Sequence, residues 1–135
     1  VMDLAIEVGG TEHGFRFIQL PFNLMLDQAY LTKNHTVNGK TVSLLEAAQI
    51  FNLGVFTSVP LLQGKLLTAN VIPEFGGYNT SVRLLQFVRS TPGITAPLIG
   101  QKSESHVAEN MNVMKIPSLS KLEFDNLLQR MLNRN

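Results

Sequence analysis

The chain has 135 residues, of which 44% are apolar and 16% charged; its formal charge is +1 and it contains no cysteine. That length suits a single region, residues 1–135, with a sizeable core, and the apolar content is too high for disorder. The near-neutral charge, with no run of Lys or Arg, gives no basis for a nucleic acid or an anionic membrane as partner, and the lack of cysteine excludes disulfides and thiolate chemistry.

Residues 1–10, "VMDLAIEVGG", place Val1, Leu4, Ala5 and Val8 at helical spacing before Gly9-Gly10 stops the pattern. No Ser, Thr, Asp or Asn precedes Val1 as a cap, so the expectation is a helix cut partway along, with residues lost upstream. After a turn at His13-Gly14, "FRFIQLPFN" reads as a buried strand with Pro21 at its end, where a missing N–H harms the ladder least. Residues 24–40 have weak periodicity and close on the turn dipeptide Asn38-Gly39. "TVSLLEAAQIFNLG" predicts a helix with Leu44, Leu45, Ala48 and Phe51 inward, a capping box from Ser43 and Glu46, and Gly54 as its stop. "VFTSVPLL" reads as a second strand halted by Pro60.

Gln63 to Thr80 is too long for a simple connector and is a candidate binding loop. "SVRLLQFVRS" is an amphipathic helix with Val82, Leu85 and Val88 on one face, broken by Pro92-Gly93. "ITAPLIG" is the third strand. "ESHVAENMNVMK" and "SLSKLEFDNLLQRMLNRN" are the last helices, the second with a capping box from Ser120 and Glu123. The resulting order, α-β-α-β-α-β-α-α, calls for parallel strands with right-handed crossovers. Three parallel strands need helices on both faces or closure into a barrel. The chain is therefore either a small α/β sandwich or part of an eight-stranded barrel, which takes about 250 residues when complete.

No apolar run reaches membrane-spanning length and no signal segment opens the chain, so the expected location is cytoplasmic, and the sequons at Asn34 and Asn79 are read as chance. The junction "APLIGQKSESHVAEN" holds most of the polar chemistry. Free N–H groups at a helix start attract anions, and Gly100 lets a ligand approach the backbone. The commoner alternative is an ordinary strand–helix turn capped by Ser103 or Ser105, which these residues alone favour. No His/Asp/Glu spacing suggests a metal site, and no nucleophile signature is present.

Three separated stretches, "FIQLPFN", "GVFTSVPLLQGKLL" and "RLLQFVRSTPGITAPLIGQKSESHVAEN", together resemble the C-terminal portion of the aldo-keto reductase superfamily. The resemblance implies a fold class of α/β type: an incomplete (β/α)8 TIM barrel with about three parallel strands. It implies NADP(H) as cofactor and, in a full-length protein, reduction of a small carbonyl substrate by hydride transfer. By the same resemblance Gln19 reaches the nicotinamide carboxamide. Ser58 stands where the family usually has an aromatic residue stacked on the nicotinamide, and a serine has no π-face to stack. Pro60, Leu61, Gln63, Gly64 and Lys65 align with the loop over the pyrophosphate, Lys65 meeting either phosphate or solvent. Gly100, Gln101, Lys102 and Ser103 match the adenosine-phosphate end, and a lysine beside a 2′-phosphate favours NADPH over NADH. His106 falls where an Arg, Gln or His lies against adenine or phosphate. Glu109 and Asn110 match the adenine-contacting pair. Read this way, the Gly100 turn grips phosphate and adenosine.

The family's proton donor is a tyrosine supported by a lysine, an aspartate and a histidine, and none of those motifs occurs here. Tyr30 and Tyr78 read as amphipathic loop anchors, and His13 and His35 as surface histidines beside turns. The chain therefore supplies cofactor contacts without a catalytic set, and the partner implied is an N-terminal barrel half; unpaired sheet edges also open a route to self-association. The segment after Lys115 contributes to the substrate pocket in many family members. The alternative is a non-catalytic nucleotide-binding or protein-interaction module on the same fold.

Overall fold

A computed structural model describes residues 1–133. Its elements are α1 (Met2–Gly9), β1 (Phe17–Pro21), α2 (Gln28–Leu31), β2 (Lys33–Val37), β3 (Lys40–Ser43), α3 (Leu44–Ile50), β4 (Gly54–Ser58), α4 (Thr80–Ser90), β5 (Ala96–Pro97), α5 (Glu104–Met111) and α6 (Lys121–Leu132). Short 3₁₀ turns follow α1, β4 and α5. The final two positions of the last expected helix, 134–135, lie outside the described residues.

Strands β1, β4 and β5 form a parallel sheet in that order, with Phe17 opposite Gly54 and Pro21 opposite Ser58. The third strand is shorter than "ITAPLIG" promised. Pro97 has no N–H for the ladder, and Thr95 spends its hydroxyl on the Val55 N–H at 2.9 Å. Backbone bonds from Thr95 to Val55 (2.8 Å) and from Leu98 to Thr57 (2.7 Å) still carry the pairing past the strand's ends.

One region expected to be irregular is a hairpin. β2 and β3 pair antiparallel around Asn38-Gly39, both at positive φ (50° and 74°), the geometry that matches strand twist. Helix α3 has both halves of its capping box: the Glu46 N–H donates to Ser43 Oγ, and the Ser43 N–H donates to Glu46 Oε2 at 2.7 Å. That second bond holds the Glu46 carboxyl below its ordinary range. Gly54 does not end this helix. The chain leaves it at Phe51, itself exposed, and turns at Asn52 (φ 53°). Gly54 instead opens β4, where a Cβ would lie 2.5 Å from the Phe17 ring.

Helices α3, α4 and α6 cover one face of the sheet. Leu45 and Ala48, Leu84 and Phe87, and Phe124 and Leu127 pack there around Val55, with Ile18 and Leu20 of β1 at the margin. Phe87 lies between two near-parallel rings, Phe22 at 6.3 Å and Phe124 at 5.4 Å. This triplet ties the end of β1 to α4 and α6. Helix α4 is buried on more than the single face its periodicity suggested. Val88 joins Leu84 and Phe87 in the main core, whereas Val82 and Leu85 pack on Val113 beyond α5. Its polar residues are bonded rather than solvated: Arg83 reaches the Ile72 carbonyl at 3.1 Å, Gln86 the Pro117 carbonyl at 2.7 Å, and Arg89 the Ile116 carbonyl.

Among the described residues, the other face of the sheet carries no helix. Phe17, 62% exposed, meets Phe56 there at 5.8 Å, and Gln19 stands opposite Phe56 in the register. A sandwich would have covered both faces, so the one-sided layering fits the barrel expectation. Helix α1 forms where its spacing predicted, yet buries nothing among the described residues. No helix among these residues is long and apolar enough to cross a membrane.

Candidate functional site: a cleft at the ends of two strands

The chain leaves β4 through an uncommon backbone path. Val59, Leu62 and Gln63 have positive φ (51°, 48° and 55°), followed by Gly64 at 86°. For a β-branched residue such as Val59 this is costly, about 1–3 kcal/mol by usual estimates, and such strain concentrates at functional sites. A fully buried side chain holds it in place. Asn23 Nδ2 donates to the Val59 carbonyl at 2.9 Å, while Asn23 Oδ1 accepts the Met25 and Leu26 N–H groups at 2.9 and 3.1 Å. The end of β1 thus clamps the loop after β4.

That loop walls a cleft of about 760 Å³. Leu61, Gln63 and Gly64 line one side. The segment after β5 lines another with Leu98, Ile99, Gly100 and Lys102, and α5 adds His106, Glu109 and Asn110. Ser81, in the first turn of α4, also faces the cleft. A Cβ at Gly100 would meet no atom within 4 Å, and its φ is not left-handed, so neither packing nor backbone geometry requires a glycine there.

Helix α5 presents its polar residues in a defined way. Ser103 is its cap, accepting the His106 N–H at 3.3 Å and sharing a hydrogen bond with Ser105 at 3.0 Å. Ser103, not Ser105, therefore takes the capping role, and it lies outside the cleft lining. Asn110 is buried, its Nδ2 donating to Gln101 Oε1 at 3.4 Å. Glu109 is half-buried and accepts from Ser81 Oγ at 2.6 Å. Lys102 and His106 are exposed at the rim.

Of the fourteen residues that the resemblance places around a cofactor, nine line this one cleft: Pro60, Leu61, Gln63, Gly64, Gly100, Lys102, His106, Glu109 and Asn110. Gln19 and Ser58 lie apart from it, on the uncovered sheet face beside Phe56. Lys65 is exposed and outside the lining. Ser81 escaped the sequence reading because nothing in "GYNTSV" distinguishes it from an ordinary helix start.

The tyrosines and histidines make no catalytic constellation. Tyr30 sits in α2 rather than a loop, edge-on to Phe124 at 5.5 Å, and burial pushes its phenol above the ordinary value, away from what a proton donor needs. Tyr78 packs on Phe75 at 6.5 Å. His13 is half-buried, its Nδ1 3.2 Å from Arg16, and His35 is half-buried within β2 rather than beside a turn. Among the described residues no group of three or more His, Asp or Glu could hold a metal.

No protein-family model and no curated protein matches the sequence. The structure is similar to that of an aldo-keto reductase from Bacillus halodurans, solved in its holo form: the match covers 93% of this chain and 46% of that one, with a TM-score of 0.62 and 14% identity. The fold is part of a TIM barrel, with its sheet left unclosed. The cleft lies at the C-terminal ends of β4 and β5, the end of such barrels where active sites are built. A further groove of about 720 Å³ collects none of the residues expected around the cofactor; its lining includes Val71 of the candidate loop Gln63–Thr80, Leu128 and Met131 of the segment after Lys115, and Leu24 and Met25.

Proposed function

We propose that this chain is the cofactor-binding portion of an NADP-dependent aldo-keto reductase. The observation that carries the reading is the convergence on one cleft of nine residues that the resemblance places around a dinucleotide. The cleft has the character such a ligand needs. Gly100 leaves its backbone open to a close approach, the exposed Lys102 supplies positive charge at the rim, and Leu98 and Ile99 offer an apolar wall for a purine. Strain concentrated between Val59 and Gly64 supports a loop shaped for binding rather than for economy of folding.

In this reading Gly100 and Lys102 hold the phosphate of the adenosine end, and Ser103, outside the cleft lining, meets it only where the phosphate extends past the rim. His106, Glu109 and Asn110 meet the adenine, and Leu61 and Gln63 pass over the pyrophosphate. Gln19, and beside it Ser58, face the nicotinamide from the uncovered side of the sheet. The bound cofactor would supply hydride for a carbonyl carbon. This chain's residues bind and orient it, and Tyr30, packed edge-on against Phe124, is not placed to serve as the proton donor.

The uncovered face with Phe17 and Phe56, and the unpaired outer edges of β1 and β5, favour a partner that supplies the remaining strands of a barrel. The same surface is what an interaction module without catalysis would use; only the reductase reading requires NADPH-dependent turnover once the remaining strands of a barrel are joined to the chain. The 135-residue chain alone is expected to show no NADPH-dependent reduction of aldehydes above buffer. Clear turnover by the isolated chain would refute the assignment of the chemistry to strands outside it.

A further inference from the structure

Resting on that dinucleotide reading, we infer that Ser81 is a positioning residue that makes the cleft select a purine with a 6-amino group over one with a 6-oxo group. Ser81 is only 4% exposed, yet it lines the cleft. Its Oγ donates to Glu109 Oε1 at 2.6 Å, joining the first turn of α4 to α5 across 28 positions of sequence. A hydroxyl has one proton to give. Asn79 Oδ1, which accepts the Val82 N–H at 3.0 Å as the cap of α4, lies 3.1 Å from the same oxygen, farther than Glu109 and uncharged. The proton goes to the nearer, charged acceptor.

One carboxylate oxygen is therefore fixed against α4, and Oε2 is the atom that Glu109 has left to offer the cleft. An ionised carboxylate only accepts. A 6-amino purine presents a donor at that position, whereas a 6-oxo purine presents another acceptor and meets repulsion. Without the Ser81 hydroxyl the carboxylate is free to rotate, and the selectivity weakens even though the charge remains.

The test is calorimetric titration of NADP⁺ and its deamino, hypoxanthine-bearing analogue into the full chain and its variants. The wild-type chain should favour the adenine form by about tenfold, the usual scale for one charge-assisted hydrogen bond. Ser81→Ala should lose most of that preference by weakening the adenine form alone, and Ser81→Thr, which keeps the hydroxyl, should retain it. Glu109→Gln gives the sharpest readout. Ser81 would pin the amide oxygen and leave the amide nitrogen, a donor, toward the cleft, so the preference should invert. If Ser81→Ala keeps the wild-type ratio, or weakens both forms equally, the role given to Ser81 is overturned while the cofactor reading stands. If circular dichroism shows Ser81→Ala unfolded, the Thr and Gln variants decide the matter. Binding of neither form to the wild type would defeat the dinucleotide reading and this inference with it.

Discussion

Replacing Phe87 by alanine should cost about 3–5 kcal/mol, the usual range for deleting a fully buried aromatic ring. The ring is 1% exposed and lies between Phe22 and Phe124, so its loss opens a cavity where the end of β1, α4 and α6 meet. Because small proteins are stable by only about 5–15 kcal/mol, that single change should bring the chain close to unfolding. Urea melts followed by circular dichroism give the measure. A loss below about 1 kcal/mol would mean that the three stacked rings do not hold the layers together. The same variant should also weaken ligand binding, because α4 carries Ser81 into the cleft.

Leu45, Ala48 and Val88 of this core are legible in the helical spacing, whereas the ring triplet is not, and the differences have identifiable causes. Both capping boxes, Ser43 with Glu46 and Ser120 with Glu123, formed as their spacing requires, because the pattern is local and self-contained. The β2–β3 hairpin forms where periodicity is weak, because Asn38-Gly39 stands between β-branched residues at Thr36, Val37, Thr41 and Val42. There the turn signal outweighed the weak periodicity around it. Gly54 was read as a helix stop because glycine serves that purpose often. Its actual place is set by a ring from a neighbouring strand, Phe17, which no local pattern reveals. Val88 joined a different cluster from Val82 and Leu85 because α4 is wrapped on several sides, and helical spacing alone assumes one buried stripe.

The site divides in the same way. Residues carried by a recognisable stretch, Leu61 and Gln63 on the loop and Gly100, Lys102, His106, Glu109 and Asn110 at the junction, arrive together at one cleft. What stayed hidden depends on tertiary contact. The positive φ of Val59 is imposed from 36 residues away by Asn23, and Ser81 gains its role only through Glu109. Ser103 shows how a local rule competes with a functional one: its oxygen caps α5 and its hydroxyl shares a hydrogen bond with Ser105, which leaves less of it for a ligand.

Lys102→Glu should weaken binding of a 2′-phosphorylated adenosine ligand by about 10- to 100-fold, since it exchanges a charge-assisted hydrogen bond for repulsion. The binding of 5′-ADP, which has no 2′-phosphate, should hardly change. Lys102 is exposed at the cleft rim, so raised salt should shrink the difference between the two chains. Equal affinities in wild type and variant would remove Lys102 from the phosphate site, and with it the reason to favour NADPH over NADH.

Everything proposed for the ligand depends on an accessible pocket between the strained loop and the first turns of α5, able to take adenosine and its phosphates without help from absent strands. Amide NMR spectra of the wild-type chain, recorded while adenosine 2′,5′-bisphosphate is added, probe this most directly. The account predicts saturable shifts at Gly100 through His106, at Glu109 and Asn110, and in the loop from Leu61 to Gly64. Unmoved signals at those positions, or shifts confined to the groove between Met25 and Met131, would contradict it.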